Sequence, residues 1–180
     1  MQVQQRFRDT FFAILTDETY GVNAQLAAIA TREGVTIPQI PDTQIFKDSI
    51  DADLFDGEDD APPYPHLFID IPQDSNTEQQ KYSYNSGPAQ VGTEIRVSIP
   101  GTQGGLIFTL ATTLDYYVEA VINSIIRYNL NWGQYGIQLP GTYSTQYAPV
   151  RRGADNYIKI ARITWDAWMQ TALPRTAFPV

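Results

Sequence analysis

Seven carboxylates lie within positions 48–60, the densest source of potential chemistry in the chain: Asp48, Asp51, Asp53, Asp56, Glu58, Asp59 and Asp60. Closely spaced acids such as these are typical of calcium loops. An EF-hand loop starting at Asp51 would need an oxygen ligand fifth and glycine sixth, where the sequence has Phe55 and Asp56. Its twelfth position is Pro62 in place of glutamate. The pattern therefore predicts a solvated acidic loop without a metal, because like charges at this density repel.

Other catalytic equipment is sparse. The chain has no cysteine, which excludes disulfides, thiolate catalysis and cysteine-bound metals. His66 is the single histidine, and its position beside Pro65 in an aromatic-rich stretch favours a structural or interface role. Residues 101–105 are glycine-rich but lack the lysine of a phosphate-binding loop. We expect no catalytic residue, no metal and no cofactor, and hence a protein that is not an enzyme.

The net charge of −8 is unevenly distributed. Residues 1–80 hold 15 acidic and 4 basic residues, whereas residues 81–180 hold 5 acidic and 8 basic residues. The clustered lysines and arginines that bind nucleic acid along a whole surface are absent. The acidic balance serves solubility, or it provides a surface past which DNA slides without sticking.

No membrane or secretion signal is expected. The longest apolar runs, such as residues 11–15, are far shorter than the ~20 residues that span a bilayer. Asp17 and Glu18 follow this run, where a signal peptide would carry small residues. We expect an intracellular protein without a membrane contact.

Hydrophobic periodicity predicts three helices, at 3–17, 21–33 and 113–130. Gly34 follows the second helix, where a left-handed cap suits glycine. Thr112 and Asp115 have the spacing of a capping box at the start of the third. The buried stripe predicted for this third helix consists of Leu114, Tyr117, Val118, Val121, Ile125 and Tyr128.

Alternating polarity predicts strands at 66–71 and 94–99, separated by a polar linker at 72–92. Residues 135–139 and 142–150 are also β-prone, residues 151–156 have turn chemistry, and 157–165 form the last strand. Ile158 and Ile160 make that strand apolar on both faces, as expected of a central strand or an interface.

These elements predict one α+β domain over residues 1–180, with a mostly antiparallel four-stranded sheet and helices on one face. The order of elements is α-α-β-β-α-β-β. Four prolines punctuate residues 38–63, so the acidic segment at 47–63 is expected to leave the domain as an extended excursion. The tail at 171–180 is also expected to be extended.

Aromatic residues exceed the needs of a core of this size, with 11 tyrosines and 3 tryptophans. Tyr and Trp favour interfaces because each joins an apolar body to a polar tip. Arg151 and Arg152 are the one local basic feature, suited to phosphate, to an acidic partner surface or simply to a solvated turn. The interface candidates are Tyr82, Tyr84, Trp132, Tyr135, Tyr143, Tyr147, Arg151 and Arg152.

The order of these segments resembles the tail terminator and tail-completion proteins of tailed bacteriophages. The resemblance covers about residues 3–168 and is carried by an amphipathic first helix and four segments. These are YPHLFI at 64–69, EIRVSI at 94–99, LDYYVEAVINSI at 114–125 and NYIKIARITW at 156–165. The acidic segment at 47–63 departs from the compact form of that family.

The resemblance implies a subunit of a ring, expected to be a hexamer, which caps the tail tube, stops its polymerisation and joins the tail to the head. Its implied partners are further copies of itself, the tail tube protein, possibly a sheath, and a head-side neck protein. DNA would only pass through the lumen. The implied location is the virion, after assembly in the host cytoplasm. The acids Asp51, Asp53, Asp56, Glu58, Asp59 and Asp60 would face that lumen or a partner.

Other functions stay open at this point. Within the same class, the chain fits a head–tail adaptor, a stopper or a tube–sheath joining protein. From different classes, the acids at 48–60 fit a metal-dependent hydrolase, and the surface aromatics fit a carbohydrate-binding module. Divalent-ion binding would favour the hydrolase, and glycan binding by a monomer would favour the module.

Overall fold

The computed structural model describes residues 3–47, 64–70, 87–129, 137–138, 142–152 and 156–169. Within these ranges, three helices cover one face of a mixed sheet, which confirms the α+β class. The helices are α1 (Val3–Leu15), α2 (Val22–Glu33) and α3 (Ile107–Asn129). The strands are β1 (Ile45–Phe46), β2 (His66–Asp70), β3 (Gly87–Pro100), β4 (Ile137–Gln138), β5 (Tyr143–Tyr147), β6 (Arg151–Arg152) and β7 (Asn156–Met169).

The sheet has seven strands among the described residues, so the prediction of four was wrong. Its order begins β1-β2-β3-β7, and β4, β5 and β6 all pair with β7. β1 is parallel to β2, while the other pairs are antiparallel. Periodicity cannot find β1 and β6 because each is two residues long and forms only by pairing with a longer neighbour. β4 and β5 lie within the segments 135–139 and 142–150, which were predicted to be β-prone.

The two longest strands, β3 and β7, form the centre of the sheet. They pair along 14 residues, from Gly87 opposite Met169 to Pro100 opposite Asn156. The last strand was predicted to be central or to lie at an interface, and in the sheet it is central, but both strands were predicted too short. Residues 87–92 look like linker by composition and become strand because β7 supplies a distant partner. The inward-facing buried residues of the pair include Val91, Thr93, Ile95, Val97, Ala161, Ile163 and Trp165.

The first two helices match their predicted positions closely. α1 ends at Leu15 rather than at residue 17, and its apolar side chains Phe7, Phe11, Ile14 and Leu15 are buried. α2 ends at Glu33 and is capped by Gly34, whose φ of 67° and ψ of 31° are the left-handed conformation expected there. The Gly34 N–H donates to the Ala30 carbonyl and so closes the last turn.

α3 begins at Ile107, six residues before its predicted start. A 3₁₀ helix at Gly101–Leu106 leads directly into it, and Thr109 Oγ1 donates to the Leu106 carbonyl at 2.6 Å. Thr112 and Asp115 therefore lie inside the helix on its exposed surface, and the predicted capping box is wrong. The predicted buried stripe is confirmed because a helix period does not depend on where the helix starts.

Three long-range polar contacts join α3 to the N-terminal third of the chain. The Tyr128 hydroxyl donates to Asp17 Oδ2 at 2.6 Å, and the Tyr117 hydroxyl donates to the Pro38 carbonyl at 2.6 Å. Arg32 reaches both carboxylate oxygens of Glu119 at 2.7 and 2.9 Å, which lowers the pKa of Glu119. These contacts tie α3 to the link between α1 and α2, to α2 itself and to the segment that follows α2.

The 3₁₀ helix and α3 together form a helical segment, Gly101–Tyr128. Among the described residues it is the one helix that is long and apolar enough to cross a membrane, by length and composition. This segment contains no long continuous apolar run, because Thr, Asp and Glu interrupt its apolar residues. Its buried stripe belongs to the same core cluster as β3 and β7. Length and composition alone do not assign it to a bilayer, because the core helix of a water-soluble fold passes the same test.

Candidate interaction surface

Four of the predicted interface residues lie along one edge of the sheet, on the side of β7 away from β3. Tyr143 is opposite Trp165 and Tyr147 is opposite Ala161. Arg151 and Arg152 form the short strand β6, opposite Ile158 and Tyr157, so the turn predicted at 151–156 begins too early. The sequence of β7 thus aligns two tyrosines and two arginines. We call residues 143–152 the β5–β6 edge.

The two tyrosines of this edge each contact another side chain of the fold and are also partly exposed. Tyr143 and Tyr147 are 44% and 47% exposed. The Tyr143 ring lies 4.8 Å from the buried Trp165 ring. Partial burial and a hydrogen bond donated to Asp115 raise the pKa of the Tyr147 phenol. A partner would therefore meet aromatic groups that are already held in place.

An exposed apolar tip lies at the start of α3 and was missed by the interpretation of the sequence. Phe108 is 88% exposed and Leu106 is 47% exposed. Phe108 and Asp115 are seven residues apart, so they share one face of α3, about 10 Å apart along its axis. Because Tyr147 bonds to Asp115, this face leads to the β5–β6 edge. The available signal was the apolar triplet 106–108 after two glycines, which the late predicted helix start left unassigned.

A second aromatic group lies on the opposite face of the sheet. His66 is 1% exposed, and its ring stacks on Tyr64 at 4.6 Å and meets the edge of Phe68 at 4.9 Å. The Phe46 ring stacks on Phe68 at 5.1 Å. The Arg96 guanidinium lies 4.8 Å above Phe68. This packing favours the structural interpretation of the single histidine.

The remaining predicted site residues fall outside the described ranges. They are Tyr82, Tyr84, Trp132, Tyr135, Asp51, Asp53, Asp56, Glu58, Asp59 and Asp60. Among the residues that the structure does describe, no group of three or more His, Asp or Glu side chains could hold a metal ion. The part of the site that can be described is thus a contact surface made of aromatic, apolar and basic side chains.

No protein-family model matches the sequence, and no curated protein matches it significantly.

Proposed function

We propose that this chain is a structural protein of a tailed bacteriophage, a tail terminator that forms a ring on the end of the tail tube. The observation that carries the proposal is the β5–β6 edge, where Tyr143, Tyr147, Arg151 and Arg152 are presented together and exposed. Anchored tyrosines beside arginines are the side chains that most often dominate protein–protein contacts. Such an edge suits a subunit whose work is assembly.

The apolar tip supports the same proposal. A ring that stops a polymerising tube must bind the last tube ring on one side and a head-side protein on the other, in addition to its own neighbours. Phe108 and Leu106 provide an apolar contact apart from the sheet edge, and a large exposed aromatic is typical of a partner site. The proposed partners are copies of the chain, arranged as a hexamer, the tail tube protein and a neck protein.

The acidic net charge fits a ring through which DNA passes. A net charge of −8 repels phosphate, so DNA would move through the lumen without a bound state. The ring proposal places the acids of residues 48–60 against the lumen or against a neighbouring subunit. In both positions they act through charge and need no metal.

The proposal predicts the consequence of losing the gene. Particles without this chain should contain tails of uncontrolled length, or tails not attached to heads, in electron micrographs. The intact gene supplied in trans should restore normal particles. A variant with Tyr143→Ser and Tyr147→Ser should fail to restore them, because each lost anchor costs about 2 kcal/mol of contact.

The matched control is Val35→Ser, which removes a 40% exposed apolar side chain outside the β5–β6 edge. This variant should restore particles as well as the unaltered chain does. Circular dichroism and thermal unfolding must show that all variants fold. Full restoration by the double tyrosine variant would count against the proposed role of the edge, and normal particles without the gene would end the proposal.

A further inference from the structure

One surface joins the start of α3 to the helix-facing side of β5. Tyr143 and Tyr147 are opposite inward-facing residues of β7, so they lie on the face of the sheet that α3 covers. Tyr147 bonds to Asp115 of α3, and Phe108 lies on the same side of that helix as Asp115. The helix and the strand thus border a common surface. We call it the α3–β5 surface, and it consists of Phe108, Ala111, Asp115, Tyr143 and Tyr147.

The members of this surface follow one direction. Gly104, just before α3, lies against the Tyr157 ring at the start of β7. Because β5 is antiparallel to β7, β5 runs toward that same end of the sheet. Tyr143 is about 13 Å from Tyr147 along β5, and Asp115 is about 10 Å from Phe108 along α3. The surface therefore extends over about 23 Å, with aromatic rings at its ends and a carboxylate between them.

The segment that follows β7 has the composition that such a surface binds. Residues 170–180 read QTALPRTAFPV and come directly after Met169, the last residue of β7. The two prolines favour an extended backbone, which reduces the entropy lost on binding. Extended proline-containing segments dock on aromatic-lined surfaces. Leu173 and Phe178 supply apolar side chains, and Arg175 supplies a positive charge.

The spacing of these side chains matches the spacing of the surface. Arg175 and Phe178 are three residues apart, about 9–10 Å in extended chain, which equals the distance along α3 between Asp115 and Phe108. An Arg175 guanidinium beside the Asp115 carboxylate therefore places Phe178 at Phe108. Leu173 then lies about 6 Å in the other direction, toward the tyrosines of β5. One extended segment meets the carboxylate and both aromatic sites at once.

The reach of the segment distinguishes the chain's own surface from that of a neighbour. Tyr147 is opposite Ala161, about 26 Å before Met169, and Phe108 lies about 10 Å farther in the same direction. Phe178 is nine residues beyond Met169, at most about 32 Å when fully extended. Reversal of the chain after β7 shortens that reach. The segment therefore falls short of Phe108 in its own copy, whereas a neighbouring copy can present the whole surface to it.

We propose that residues 170–180 of one copy bind the α3–β5 surface of a neighbouring copy. Phe178 packs on Phe108, and Arg175 pairs with Asp115. This inference names a contact between subunits of the proposed ring and so rests on that proposal. It assigns Phe108 to a neighbouring copy and leaves the arginines of β6 to other partners.

Cysteine cross-linking tests the contact, and the absence of native cysteine makes it specific. One variant carries Ala177→Cys, between Arg175 and Phe178, and the other carries Ala111→Cys, at an exposed position of α3. Oxidation of the mixed variants should give disulfide-linked dimers. The matched control replaces Ala111→Cys by Ala28→Cys, at an exposed position of α2, and should give far less dimer. Equal yields from the two mixtures would overturn the inference.

A chain that carries both Ala111→Cys and Ala177→Cys tests the argument from reach. Oxidation should link separate copies into dimers and larger species. If the main product were instead a disulfide within one copy, the segment would bind its own surface and the inference would be wrong. Mass spectrometry of the oxidised protein distinguishes the two products.

A double-mutant cycle tests the packing of Phe178 on Phe108. Phe108→Ser and Phe178→Ser should each weaken association about tenfold in sedimentation velocity, while Val35→Ser should leave it unchanged. Because both changes remove the same contact, the double variant should stay within about twofold of the weaker single variant. A loss of about a hundredfold would show two independent sites and overturn the inference. Circular dichroism checks that each variant folds.

The outcomes separate the inference from the proposed function. If the unaltered chain forms rings but the mixed variants give no more dimer than the control, the ring proposal stands and this contact is wrong. If the mixed variants cross-link but loss of the gene leaves tails normal, the contact between copies stands and the proposed function is wrong. If the purified chain is monomeric, the same cross-linking within purified particles decides the inference.

Discussion

Asp17 shows how one carboxylate can hold two parts of this fold together. Its Oδ1 accepts the backbone N–H groups of Thr19 at 2.9 Å and Tyr20 at 2.8 Å. Its Oδ2 accepts the Tyr128 hydroxyl at 2.6 Å. The Tyr128 bond, more than the backbone bonds, holds the pKa of Asp17 below its ordinary value of 3.8. The link between α1 and α2 is thereby tied to the end of α3.

Replacement of Asp17 by asparagine should therefore destabilise the protein in a pH-dependent way. The pKa of Asp17 is lower in the folded than in the unfolded chain, so its stabilisation is complete above about pH 4 and is lost as pH falls through the folded pKa. Asp17→Asn should cost about 1–2 kcal/mol at pH 7 and much less near pH 2. Urea unfolding at both pH values measures this difference.

The neighbouring exposed residue Glu18 provides the control, because Glu18→Gln removes the same charge without these contacts. It should change the free energy of unfolding by less than about 0.5 kcal/mol at either pH. A cost for Asp17→Asn that does not depend on pH would show that the folded carboxylate is not specifically stabilised.

Residue type alone predicted which aromatic residues could lie at an interface, but it did not predict which side chains contact them. Tyr143 and Tyr147 were candidates because tyrosine favours interfaces, and both are exposed. Their contacts with Trp165 and Asp115 join distant parts of the chain, so no local pattern contains them. Phe108 was missed because its exposure depends on where α3 begins, which local capping signals placed six residues too late.

At the scale of elements, the start of α3 is the clearest disagreement between sequence and structure, and it is open to a direct test. If Thr112 capped the helix, Thr112→Ala would cost about 0.5–2 kcal/mol. In the structure Thr112 is an exposed interior residue of α3, where alanine is the better helix former. We therefore expect Thr112→Ala to be neutral or to stabilise by a few tenths of a kcal/mol.

Chemical denaturation of Thr112→Ala beside the unaltered chain measures this effect. Thr109→Ala is the companion variant, because the Thr109 hydroxyl bonds to the Leu106 carbonyl at the first turn of α3. It should be the more destabilising of the two. If Thr112→Ala alone lowered the free energy of unfolding by more than about 1 kcal/mol, the helix would begin near Thr112 and not at Ile107.

The faces of elements were predictable, whereas their lengths were not. Which side of α3 is buried follows from its local period, and the structure agrees at each predicted core position. Strand length depends on pairing with distant residues, so the extension of β3 over 87–93 and the short strand β6 in the predicted turn could not be found locally. The parallel strand β1 is likewise a product of its pairing with β2.

At the scale of the whole molecule, the position of the candidate contact residues becomes clear only once the strand order is known. The sequence places acids early and bases late, which alone indicates nothing about contacts. The sheet order brings β1 to one end and the β5–β6 edge to the other. This order gathers Tyr143, Tyr147, Arg151 and Arg152 on one edge, and the proposed assembly rests on that edge.

The most direct test of a ring-forming tail terminator is electron cryomicroscopy of the particle that carries this chain. We predict a closed ring of copies at the head-proximal end of the tail, in which the β5–β6 edge of each copy is buried against another protein chain. A complete map of the neck in which this chain has no place would contradict the account.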